Sequence, residues 1–198
     1  MKALLVIIIG YLIGSIPTGV LIVRLIKPEV DLRSIGSGNI GATNVSRAIG
    51  SAWGVVTMLG DCLKGLLPVL LAQKMGVSPA VAAMAGIAAF MGHIYSIYLD
   101  FKGGKGVATA LGVFLGVAPL AAVLALFVWV GTSVIARTTT VGALSAAIAI
   151  PILVVGVTPP GPFRAPAIIT ALLLTPTVFY THRENIKRIA KGQLQPGA

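Results

Sequence analysis

The residues best suited to chemistry lie in three short polar segments of an otherwise apolar chain. The first runs from Ser34 to Asn44, SIGSGNIGATN, and is followed by Arg47. Glycines there let the backbone turn so that several N–H groups face one concavity. Ser37, Asn39, Thr43 and Asn44 add donors around it, and Arg47 can make a forked contact to phosphate. Gly36, Gly38 and Gly41 spell G-x-G-x-x-G, but that dinucleotide fingerprint needs a preceding strand and a βαβ unit. An apolar run of membrane-helix length stands there instead. The expectation is one wall of an anion site; the plainer alternative is a solvated loop between two spans.

The second segment, GHIYSIYLDFKGGKGVATALG, covers Gly92 to Gly112. It lacks the G-x-x-x-x-G-K-[ST] loop of nucleotide hydrolases. Gly103, Gly104 and Gly106 open a helix, whose N-terminal N–H groups can hold phosphate, with Lys102 and Lys105 adding charge. The other reading is a basic anchor at the membrane surface. His93 is open between a helix-bundle hydrogen bond and a substrate contact. The third segment, THRENIKRIAKG from Thr181 to Gly192, is read as a continuation of the last span. His182 and Asn185 then share a helical face, and Glu184 can pair with Arg188. Asp61 and Lys64, inside an apolar run, are expected to neutralise each other or a neighbour in a structural role.

The elements that carry these residues follow from composition. Of 198 residues, 57% are hydrophobic and 10% charged, and the mean hydropathy is +0.99. These values lie outside the range of soluble globular domains and mark an all-α integral membrane protein. Lys and Arg outnumber Asp and Glu fifteen to five. In this setting the excess reads as positive-inside bias and phosphate binding, with no nucleic-acid partner. Cys62, the one cysteine, lies in an apolar run, so there is no disulfide framework. No metal-ligand motif is present, and neither metal nor cofactor is expected.

Apolar runs cover Ala3 to Val23, Ser51 to Ala72, Ala80 to Leu99, Val141 to Val157 and Ala165 to Tyr180. The first is too long for a signal peptide and has no small-residue cleavage site after it. Gly106 to Ala136 is uncharged and would make one helix of about 46 Å, far longer than a bilayer core. Pro119 offers a break into two spans. With that break, Arg24, Lys27, Arg33, Arg47, Lys102, Lys105, Arg137, Arg183, Lys187, Arg188 and Lys191 share one side, against Lys2, Lys74 and Arg164. Without it the bias vanishes. The expectation is therefore seven transmembrane helices in one domain, residues 1–198, with the N-terminus outside, the C-terminus cytoplasmic and a short fourth span from Val107 to Ala118. Pro17, Pro68, Pro151 and Pro176 should bend their spans, and all three polar segments fall on the cytoplasmic face.

Taken together, SGNIGATN, GHIYSIYLDFKGGKGVAT and HRENIKR resemble the bacterial acyl-phosphate-dependent glycerol-3-phosphate acyltransferases of the inner membrane. The likeness extends over the whole chain. It implies transfer of a fatty acyl group from acyl phosphate to the first hydroxyl of sn-glycerol 3-phosphate, giving lysophosphatidic acid and phosphate. Positions matching the family motifs are Ser37, Asn39, Gly41, Thr43, Asn44 and Arg47, then His93, Gly103, Gly104, Lys105 and Gly106, then His182, Glu184 and Asn185. The chain departs from the family at Tyr95 and Ser96, where an aromatic-proline pair is usual, and at Asp100. A monomer in contact with membrane lipid is expected.

On this reading the glycine-rich helix opening with Lys105 holds acyl phosphate. Ser37, Arg47, His182 and Asn185 hold glycerol 3-phosphate. Neither histidine begins the H-x-x-x-x-D pattern of soluble-type acyltransferases, and acyl phosphate already carries a good leaving group. The hydroxyl proton goes to His182 or, as the preferred reading, to a substrate phosphate. The competing class is a transporter or channel for an organic phosphate, which would want polar residues through several spans.

Overall fold

The protein is described here by a computed structural model that covers residues 1–193. Among these residues there are helices and no strands. The order is α1 (Lys2–Ser15), α2 (Thr18–Ile26), α3 (Ala42–Ile49), α4 (Ser51–Lys74), α5 (Pro79–Ile94), α6 (Val107–Val117), α7 (Pro119–Ala136), α8 (Thr139–Val157), α9 (Arg164–Thr181) and α10 (Arg183–Ala190).

Proline sets two of the breaks. Pro17 forces Ile16 out of helical geometry, to ψ 119°, and splits the first apolar run into α1 and α2. Lys64 of α4 donates to the Ile16 carbonyl at that break, at 2.8 Å. Pro119 starts α7 directly after Ala118, so the long uncharged region does divide there. Pro68, Pro151 and Pro176 lie within α4, α8 and α9.

Small residues bring the helices together. Gly10 and Gly14 of α1 sit against the backbone carbonyls of Ala85 and Ala89 on α5, and Gly112 of α6 sits against that of Cys62 on α4. A Cβ at any of these glycines would strike a carbonyl oxygen, so the close pairing of α1 with α5 and of α4 with α6 depends on them. Outward, large apolar side chains such as Phe127, Ile152 and Leu172 are exposed, as on a lipid-facing surface.

Five helical segments are long and apolar enough to cross a membrane, and a sixth is added if α9 and α10 form one broken span. This fits a multi-pass membrane protein. At 11 residues, α6 reaches only about 16 Å, about half of a bilayer core. Residues 42–49, for which no helix was expected, form the amphipathic helix α3, which ends at Gly50 with φ 105°. One expectation is corrected. The third polar segment does not continue the last span, because the chain bends by 57° between α9 and α10, at His182.

Candidate active site

The N-termini of α3, α6 and α8 converge on one cavity of about 650 Å³, which is lined by Ala42 and Thr43, by Val107 and Ala108, and by Thr139 and Thr140. The first N–H groups of a helix have no intrahelical partner and carry the positive end of its dipole, so this convergence favours anions. Thr43 and Thr139 lie 3.4 Å apart, hydroxyl to hydroxyl, and tie α3 to α8 at the mouth. Ser37, Asn39, Gly41, Asn44 and Arg47 line the same space from the first segment. Gly36 makes room there: a Cβ on it would meet the Asn44 amide oxygen at 2.6 Å and the Arg47 guanidinium at 2.9 Å. Asn44 is buried, and its amide nitrogen donates to the Leu32 carbonyl at 2.8 Å, which fixes the loop on α3.

Lys105 enters from the opposite wall. Its ammonium donates to Asn185 Oδ1 at 2.7 Å, and Asn185 Nδ2 donates to Thr140 Oγ1 at 2.9 Å. Thr181 holds the segment from behind, donating to the Lys105 carbonyl at 3.0 Å. Burial pushes the Lys105 ammonium down to about 8, and the charges of Arg188 and Arg47 push the same way. A cation held at that cost, between two others, is stabilised by an arriving anion.

His182 lines the cavity at the bend. Its Nδ1 lies 2.8 Å from the Val178 carbonyl, which can only accept, so Nδ1 carries the proton and Nε2 the lone pair. Burial pushes this imidazole down to about 4 despite the Val178 bond, with Lys105 adding to the depression. It is therefore neutral at physiological pH.

The glycines of the second segment serve a different purpose from the one expected. Gly103 and Gly104 do not line the cavity. Their N–H groups donate to the carbonyls of Ile94 and His93, at 2.8 and 2.9 Å. Gly104 also lies flat on the imidazole of His93, where a Cβ would strike Nε2. Only Gly106, with φ 86° and the ring of Phe90 where its Cβ would be, reaches the cavity, together with the first turn of α6. His93 and Asp61 do border the cavity, both buried, with His93 Nδ1 3.7 Å from Asp61 Oδ1. Asp61 pairs with Lys64 at 2.9 Å, as expected, and Lys64 points away from the cavity to Ile16. The expected Glu184–Arg188 pair is replaced by Glu184–Lys187 at 3.0 Å, which is exposed. The Lys187 bond holds the Glu184 carboxyl below its usual range, and Arg188 lines the cavity instead.

Beyond the mouth the cavity becomes an apolar limb between α6, α7, α8 and α9. Its walls are alanines 108, 110, 122, 125, 143, 146 and 147, together with Leu111, Phe114, Leu126, Trp129, Ile150, Leu174 and Val178. Sequence reasoning named none of these. It read Arg188 only as a partner of Glu184 and as part of the charge bias, and it missed Thr139 and Thr140, although the RTTT run before an apolar stretch is a helix N-cap signal. Thr138 does cap α8, accepting from the Thr140 N–H at 3.3 Å. Among the described residues no cluster of three or more His, Cys, Asp or Glu is placed to hold a metal ion.

Residues 4–192 match the family model described as glycerol-3-phosphate acyltransferase. A glycerol-3-phosphate acyltransferase from Geobacter sulfurreducens is 49% identical over 185 residues, 93% of this chain and 92% of that protein. The crystal structure of PlsY, an integral membrane glycerol 3-phosphate acyltransferase, in its glycerol 3-phosphate form superposes with a TM-score of 0.91 at 38% identity, covering 99% of this chain and 96% of that one. Its lysophosphatidic acid form gives 0.89 at 37%, over 99% and 95%. With sequence, fold and a family match along almost its whole length in agreement, the chain belongs to the glycerol-3-phosphate acyltransferase family.

Proposed function

We propose that this protein transfers a fatty acyl group from acyl phosphate to the 1-hydroxyl of sn-glycerol 3-phosphate. The products are lysophosphatidic acid and inorganic phosphate. The observation that carries the reading is a single cavity joining a mouth of Arg47, Lys105, Arg188 and helix N-termini to an apolar limb. Two phosphate groups and one long chain need that combination. In this reading Arg47, with Ser37, Asn39, Gly41 and Thr43, receives the acceptor phosphate. Lys105 and the first turn of α6 receive the donor phosphate, and Asn185 orients Lys105. Asn44, Gly103, Gly104 and His93 act by shaping the two segments.

The acceptor hydroxyl attacks the acyl carbonyl carbon, a C–O ester bond forms, and the bond from that carbon to the phosphate oxygen breaks. Lys105 stabilises the charge gathering on the leaving phosphate. The hydroxyl proton passes to a substrate phosphate oxygen, while the neutral His182 offers Nε2 as a hydrogen-bond acceptor to the neighbouring 2-hydroxyl of the acceptor. In a His182→Gln variant with residual activity the pH profile keeps its shape; loss of an acid limb near pH 4 would make His182 the base.

The polar segments belong on the cytoplasmic side of a bacterial inner membrane by the positive-inside count. The expected arrangement is seven crossings, a monomer in lipid, and α6 as the short one. Cysteines placed at Lys74 and Lys187 should label from opposite sides of sealed vesicles; labelling from one side would sink that topology.

The activity test is phosphate release by purified protein from palmitoyl phosphate in detergent. Release that requires added glycerol 3-phosphate is expected. No turnover in any lipid, alongside glycerol 3-phosphate uptake by proteoliposomes, would replace the enzyme with a transporter.

A further inference from the structure

The apolar limb has a floor. On α6 the last residue lining it is Phe114, and one turn on, Val117 and Ala118 are buried at 3% and 2% exposure without lining it. On α8 the last is Ile150, and Val154 beyond it is fully buried. On α7 and α9, which run the other way, the deepest lining residues are Ala122 and Leu174, with Ala121 and Ala171 buried just beyond. Four helices thus stop the limb at one level, where the packed core begins.

The depth follows from the helical rise. Thr140 at the mouth and Ile150 at the floor are about 15 Å apart along α8 at about 1.5 Å per residue. Gly106 to Phe114 and His182 to Leu174 each give about 12 Å by the same rise. A zigzag of carbon–carbon bonds near 1.5 Å advances about 1.3 Å per methylene, so the limb takes a straight chain of roughly nine to twelve carbons. Its alanine side chains leave room for a methylene chain between the helices.

We propose that Phe114, Ala122, Ile150 and Leu174 form a stop that sets the acyl-chain length this enzyme takes best. This rests on the reading that the limb receives the acyl chain. Up to the stop, each added methylene leaves water for an apolar wall and improves binding about fourfold. Past it, further methylenes gain nothing from the limb, because the chain must buckle or leave sideways.

The experiment is a series of saturated acyl phosphates from six to eighteen carbons, assayed for phosphate release dependent on glycerol 3-phosphate at one fixed detergent concentration. Wild type should show kcat/KM rising with length to a break near ten to twelve carbons and flat or falling beyond. Ala147→Leu places a larger side chain one turn above Ile150 and should move the break about three carbons shorter. Ile150→Ala deepens the floor and should move it one or two carbons longer. If Ala147→Leu does not fold, the direction of the shift in Ile150→Ala decides. A steady rise to eighteen carbons, or a break that ignores both substitutions, overturns the stop while leaving the acyltransfer reading intact. No acceptor-dependent release with any donor length would instead remove that reading itself.

Discussion

Two glycine-rich segments meet in this molecule and use their glycines in opposite ways. Gly36 and Gly38 adopt left-handed backbone, φ 55° and 68°, and the space left by Gly36 is filled by Arg47 and Asn44 of the chain's own α3. The glycines there bring side chains to the cavity. Gly103 and Gly104 instead give their N–H groups to carbonyls at the end of α5 and lie against His93. They seat a tight turn from which Lys105, Gly106 and the first turn of α6 reach the cavity. The lesson is that a run of glycines among cations can cradle an anion directly or can bring the group that does so into place; what separates the two is where the N–H groups are spent.

That contrast can be broken or sharpened by substitution. The largest effect is expected for Lys105→Ala, which removes the donor at the leaving group and should lower kcat/KM about 10²- to 10³-fold. A loss no greater than that of Lys102→Ala would place the decisive cation elsewhere. Gly104→Ala should destabilise the protein by about 1 to 3 kcal/mol, read as a lower Tm in detergent, because its Cβ meets the buried His93 ring. A stable variant would mean that the turn gives way easily.

The pH dependence comes next. On the proposed assignment the cationic form of Lys105 binds the donor, and in the free enzyme that form is lost as pH rises through about 8. The sign is therefore a falling alkaline limb in kcat/KM, about tenfold per pH unit once past that value. Lys105→Arg, whose charge persists, should remove the limb; a limb that survives belongs to another group. The smallest effect is expected for the stability of Gly41→Ala. Gly41 has an ordinary φ of −82° and only the Asn39 side chain nearby, so the unfolding free energy should stay within about 0.5 kcal/mol of wild type.

Much of this was legible because polar residues are costly in an apolar chain and betray themselves by being there. The three segments and the Asp61–Lys64 pair were visible on that ground, and the break at Pro119 was visible from the length of the uncharged region and the charge bias around it. The use of each group was harder to read. Whether the N–H of Gly104 faces a ligand or the His93 carbonyl depends on a contact with α5, which local sequence does not carry. The bend at His182 accompanies the docking of α10 at the mouth, where Asn185 bonds Lys105 and Thr140; with Arg188 at the cavity, Glu184 pairs with Lys187. The apolar limb was hidden for a simpler reason. Alanines at 122, 125, 143 and 147 read the same whether they pack against another helix or line a slot.

The central claim is that one cavity takes a phosphate at its mouth and an acyl chain in its limb. A lysophosphatidic acid analogue bearing a diazirine at the end of a chain of about ten carbons tests this directly when photolysed on the purified protein and mapped by peptide mass spectrometry. The account predicts labelling at the limb floor, on Phe114, Ile150 or Leu174, that excess lysophosphatidic acid competes away and that weakens in Arg47→Ala. Labelling confined to outward-facing residues such as Phe127 and Ile152 would contradict it.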